Sequence, residues 1–193
     1  INRPDVAEEF VVFQGASYFR GVGRGNIYGT SARGLSIATA DPKGEEFQLF
    51  REFWIEKPQA QGNLLVVHAL LDGPSVTGAF RITIVPGETT TTTVEAALYP
   101  RVDLDKVGIG NLTSMFLFAP NDRKGFDDFR PAVRDAEGLA FLTAAGERCW
   151  RPLTNPQTLQ MSVFADTNLR GFGLMQRQRS FFEYQDMEAA YEK

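Results

Sequence analysis

Short apolar runs with turn residues between them recur along most of this chain, and that rhythm restricts its fold more than any other feature. FVVF from Phe10, FREFWI from Phe50, NLLVVHALL from Asn63, GAFRITIV from Gly78 and TTTTTVEAALYP from Thr89 are strand-like, and LDGP and VPGE supply reversals. In the fourth run Phe80, Ile82 and Ile84 alternate with Ala79, Arg81, Thr83 and Val85, which predicts one apolar and one mixed face. Thr89–Thr93 is β-branched throughout and fits an extended strand better than a linker. SMFLFAP, GLAFL, RCWRPL, TLQMSVFAD and GFGLMQRQ continue the pattern, and only Phe181–Tyr191 looks helical. Alternating long helices are missing, which disfavours a parallel α/β sheet and predicts an all-β, antiparallel β-sandwich.

At 193 residues the chain has the size of one domain, and 43% hydrophobic against 23% charged residues is a globular composition. No internal repeat or defensible domain boundary stands out. The net charge of −4 offers no general attraction to nucleic acid. Cys149 is alone, so there is no internal disulfide and no zinc-type Cys/His spacing; neither a metal nor a cofactor is expected. No apolar run reaches the roughly 18 residues of a membrane span. The chain begins at Ile1 rather than Met and stops at Lys193 inside patterned sequence, so both ends read as cuts in a longer protein.

The glycine-rich stretch YFRGVGRGNIYGTSARG, from Tyr18 to Gly34, invites comparison with phosphate-binding loops. Gly21, Gly23 and Gly25 give GxGxG, but the last glycine of GxGxxG falls on Asn26, no GK[ST] follows, and IYGTSARGLSIATA reads as turn and strand rather than helix. A glycine-flexed turn of a β protein is the better reading.

His68, the only histidine, lies inside LLVVHALL and is expected to be a buried or half-buried strand residue rather than a catalytic base. A Ser-His-Asp or Cys-His triad has no supporting motif, which leaves carboxylates for acid–base work and aromatics and arginines for binding. That inventory suits sugars: aromatic faces cover the C–H face of a pyranose, and polar groups bond its hydroxyls. Tyr18, Phe19, Tyr28, Trp54, Trp150 and Tyr191 are candidate platforms, although each one alone is more often core or rim packing. Glu45 and Glu46 read as a solvated turn, and Asp127 and Asp128 as an exposed pair. Asp135 is flanked by Arg130 and Arg134, whose charge would keep it ionised as a base; a surface turn with local ion pairs is the alternative.

FQGASYFR, YGTSARGL, GEEF followed by FREFWIEKP, LTSMFLF, WRPLTNP and GFGLMQR stand in one order along the chain. In these strings, from about Phe10 to Tyr191, it resembles the OpgG/OpgD (MdoG/MdoD) proteins of osmoregulated periplasmic glucan synthesis. NDRKGFDDFRPAV and YQDMEAAY lean towards the OpgD side of that family.

The resemblance implies a galactose-mutarotase-like β-sandwich, of which residues 1–193 would be one part truncated at both ends. It implies a periplasmic protein acting on β-1,2-glucan backbones, as an inverting β-1,2-glucanase or a transglycosylase in the full-length parent. A non-catalytic glucan-binding or scaffold protein of the same pathway is the alternative. The family's general base falls on Asp135, in RPAVRDAEGL, with Arg134 where other members often have His. The general acid falls beyond Lys193, so the 193-residue piece alone is expected to be inactive. Substrate-binding candidates are Tyr18, Arg20, Tyr28 and Arg33 from the glycine-rich stretch, with Arg130, Trp150, Arg151 and Tyr191. The expected partner is β-1,2-glucan; the oligomeric state stays open, a homodimer included.

Overall fold

A computed structural model describes residues 8–193. As the sequence predicts, they form antiparallel sheets with no α-helix, an all-β architecture consistent with a β-sandwich. They divide into two compact units, one ending at Asn111 and the other running from Leu112 to Lys193.

In the first unit, β1 (Val11–Phe13), β2 (Tyr18–Gly21) and β3 (Ser31–Arg33) are antiparallel neighbours, and β4 (Ser36–Ile37) pairs with β9 (Val107–Gly108). The main sheet is a four-stranded meander of β5 (Leu49–Ile55), β6 (Leu65–Asp72), β7 (Val76–Val85) and β8 (Thr91–Pro100). Its register stacks Phe53, Ala69, Phe80 and Ala96 in one row and Trp54, His68, Arg81 and Glu95 in the next. The predicted alternation in β7 is borne out: Phe80, Ile82 and Ile84 are buried, while Ala79 and Arg81 are exposed. Leu71, Ile82 and Ile84 are wholly buried and pack with Leu35, Ile37, Val67 and Val76, each contributing about 1.5–3 kcal/mol by leaving water.

A bulge between Phe50 and Glu52 lets Phe50 and Phe53 share the core-facing side of β5, with ring centroids 5.6 Å apart. Phe13 closes the cluster at 5.1 Å from Phe53 and 6.2 Å from Phe50. The threonine run is strand in part: Thr91–Thr93 open β8, Thr89 and Thr90 lie in the turn before it, and the Thr90 hydroxyl donates to the carbonyl of Val22 at 2.6 Å.

The second unit contains β10 (Leu112–Thr113), a short antiparallel pair of β11 (Phe116–Phe118) and β12 (Val133–Arg134), and a three-stranded sheet. In that sheet β13 (Gly138–Leu142) lies between β14 (Arg148–Pro152) and β15 (Gly171–Met175). Gly138 is there because a Cβ would fall 2.5 Å from the Arg151 carbonyl oxygen and 2.6 Å from the Trp150 ring.

Two expectations are corrected here. TLQMSVFAD forms no strand; Leu159, Met161 and Val163 are exposed, and only Phe164 packs, 5.0 Å from Phe141. Phe181–Tyr191 is not a helix but a single 3-10 turn, Phe181–Glu183, followed by turns. Gln185 has φ 52°, and Asp186 accepts the amide N–H groups of Glu188 and Ala189, so side-chain bonding replaces the helical ladder.

Candidate functional site

β12 leads directly into Asp135, and two hydrogen bonds fix its place. Its amide donates to the Met115 carbonyl at 2.8 Å, while its Oδ2 accepts the Met115 amide at 3.0 Å. Among the described residues Oδ1 has no hydrogen-bond partner, and the side chain is half-buried.

The flanking arginines do different work from the expected ion pairing with Asp135. Arg134 is buried and points away from solvent, donating to the Tyr184 hydroxyl at 2.9 Å and to Glu137 Oε1 at 2.8 Å. Its guanidinium also stacks 4.9 Å over the Tyr184 ring. Tyr184, wholly buried, donates in turn to the Gln178 carbonyl and accepts from Gln176. Glu137 also accepts the Arg177 and Gln178 amides, so one carboxylate ties β12 to the segment after β15.

Arg130 bridges two aspartates. Its guanidinium holds both oxygens of Asp128 and reaches Asp186 Oδ2. Hydrogen bonds from Arg130 pull the Asp128 carboxyl down to about 2. Burial alone would push Asp186 up, but the Ala189 amide, Arg130 and the Glu188 amide together hold it below the ordinary carboxyl range. Tyr191 completes the cluster: burial raises its phenol, as do the negative charges of Asp135 and Asp186, against Arg130. The structure thus brings together three of the expected residues, Asp135, Arg130 and Tyr191.

Trp150 and Arg151 are adjacent on β14 and therefore point to opposite faces. The half-buried Trp150 ring lies over Gly138 and carries the Arg177 guanidinium at 5.1 Å. Arg151 is exposed and stacks on Phe164 at 5.1 Å.

In the first unit the four residues of the glycine-rich stretch separate into two pairs. Arg33 is turned inward: it is 8% exposed, pairs with Glu45 at 2.5 Å and is sandwiched between Tyr18 and Phe47 at 5.0 and 5.1 Å. It therefore props the surface instead of presenting itself there. Arg20 sits 5.6 Å over the ring of Tyr28, which is exposed. Glu45 and Glu46, read as solvated, are structural: Glu46 accepts the amide and hydroxyl of Ser75 and the Gln48 amide group. His68 is half-buried in β6, as expected, with Nε2 2.7 Å from Glu56 Oε1.

Asp186, Tyr184, Glu137 and Gln176 are the residues that sequence reasoning missed. The signal for Asp186 was local, since an aspartate two and three residues before free amides is a turn former; the helical look of the segment concealed it. Arg134–Tyr184 spans fifty positions and leaves no local trace.

Among the described residues no helix is long and apolar enough to cross a membrane. The whole chain, residues 1–193, matches the family described as "Periplasmic glucan biosynthesis protein, MdoG". All of it aligns with proteins named "Glucans biosynthesis protein G": at 60% identity in Vibrio cholerae serotype O1, covering 35% of that protein, and at 56% in Shewanella sp. (strain W3-18-1), covering 36%. A Bradyrhizobium diazoefficiens protein of the same name is 57% identical over 192 residues, which is 38% of its length. The chain therefore spans about a third of the length of these curated relatives, and their names carry the G designation, opposite to the lean of its OpgD-like strings. Matched over its full length, the chain belongs to the MdoG family of periplasmic glucan biosynthesis proteins.

Proposed function

We propose that these residues form part of one β-sandwich domain of a longer periplasmic protein that acts on β-1,2-glucan backbones during osmoregulated glucan biosynthesis. The observation that carries this reading is the setting of Asp135, whose backbone and Oδ2 are pinned by Met115 while Oδ1 has no partner among the described residues. A carboxylate held in place with one oxygen available suits a general base that takes a proton from an attacking water. Inversion then requires a general acid about 6.5–9.5 Å away. Asp128 and Asp186 are unsuited to that role, because Arg130 at Asp128, and the Ala189 amide with Arg130 at Asp186, keep both as carboxylates at neutral pH. The acid is expected elsewhere in the parent. Trp150, Arg151, Arg130 and Tyr191 offer stacking and hydrogen-bonding groups for the glucan in this unit.

The test is incubation of the full-length parent with linear β-1,2-glucan, following chain length and product anomer by NMR. Asp135→Asn keeps an acceptor for the Met115 amide but loses the base, and cleavage is expected to fall at least about a hundredfold. Near-normal cleavage by that variant would sink the assignment. Glucan bound but never shortened, even by unaltered parent, would favour the scaffold reading.

A further inference from the structure

The glycine-rich stretch borders a cleft of about 940 Å³ that the Asp135 site does not use. Its walls include Glu9, Arg24, Asn26, Tyr28, Asn63 and Thr90. The rim is firmly built. Gly23 lies so close to the 86–88 turn that a Cβ there would fall 2.5 Å from the Glu88 carbonyl oxygen. The Arg24 amide donates to the Gly87 carbonyl at 3.0 Å, and the Val22 amide to the Phe10 carbonyl at 2.8 Å. Arg24 and Glu88 pair across the rim at 2.7 Å.

On one wall Arg20 stacks over the Tyr28 ring, and the nearby Glu9 raises the Tyr28 phenol above its ordinary value. The ring nevertheless leaves 48% of the residue in solvent. An exposed aromatic plane backed by Arg20 in a cleft of this size, among amide, hydroxyl and carboxylate groups with Arg24 taken up by Glu88, favours a ligand with an apolar face and hydroxyl edges. We propose that this cleft is a carbohydrate site in its own right, taking a neutral pyranose chain on the Tyr28 ring. The class of sugar rests on the glucan reading above; the cleft itself does not.

The test uses the full-length parent carrying Asp135→Asn, so that the probe is not consumed, titrated calorimetrically with linear β-1,2-linked glucohexaose. Tyr28→Ala is expected to weaken a binding event at least about tenfold, and Tyr28→Phe, which keeps the plane, less than about threefold. Asn63→Trp places bulk in the same cleft without changing Tyr28 itself and should remove the same event. Thermal melts and circular dichroism confirm that each variant is folded.

β-1,2-Glucohexaose binding that neither Tyr28→Ala nor Asn63→Trp alters overturns the cleft site and leaves the proposed function standing. Tyr28-dependent binding of β-1,3-, β-1,4- or α-1,4-linked hexaoses alone keeps the cleft and sinks the β-1,2-glucan reading. Binding of none of these probes overturns both.

Discussion

The sheet of β5–β8 and the sheet of β13–β15 arise from the same kind of short apolar run, yet they are held by different forces. In the first, period-two alternation fills a continuous apolar core around Leu71, Ile82 and Ile84. In the second unit the wholly buried groups include Tyr184 beside the nearly buried Arg134 and Asp186, and hydrogen-bonded charges do much of the tying. Apolar burial is non-directional and tolerant, whereas a charged network demands geometry and offers reactive groups in return. The candidate base stands in the unit built the second way.

Substitutions should expose this contrast. Ile82→Ala in β7 is expected to cost the most, about 2–5 kcal/mol in urea unfolding, because it opens a cavity at a wholly buried position. Arg134→Met should cost about 3 kcal/mol, since Glu137 and the Tyr184 hydroxyl lose their partner. Adding Glu137→Leu should recover part of that loss if ionic geometry is what the second unit relies on; a deeper loss would mean that Glu137 serves the Arg177 and Gln178 amides more than it serves Arg134.

Acid tests the charged network of the second unit next. Asp128 and Asp186 have depressed carboxyls, so their contribution is complete above the ordinary value of 3.8 and is lost as pH falls through their folded values, about 2 for Asp128. Tyrosine fluorescence and chemical shifts near Tyr184 and Tyr191 should therefore change between about pH 4 and 2. The smallest effect belongs to the surface of the first sheet: Arg81→Ala breaks an exposed pair with Glu95 and should shift stability by less than about 1 kcal/mol.

What could be read in advance follows the same division. The β5–β8 strands were legible because alternation and turn chemistry are local, and most of the threonine run fell where β-branching placed it. The bulge at Arg51 could not be read, since it depends on which residue of β6 stands opposite. In the second unit, Asp135 stood out in sequence beside Arg130 and Arg134, with a surface turn as the alternative, and its proposed role as base came from the family resemblance. Arg33 and Arg134 look like surface residues in sequence, and only distant partners, Phe47 for one and Tyr184 for the other, turn them inward. The helical look of Phe181–Tyr191 gave way to Asp186, whose side chain competes for the amides that a helix would need.

The clasp between Asp135 and Met115 carries one further consequence. Beyond the Phe116–Arg134 pair, the next rung of the β11–β12 ladder is completed by a side-chain oxygen where a main-chain carbonyl would ordinarily stand. Position 135 thus gauges side-chain reach as well as charge. Glutamate, longer by one methylene, would carry its carboxylate past the Met115 amide, so an acidic group that completes this rung must be aspartate.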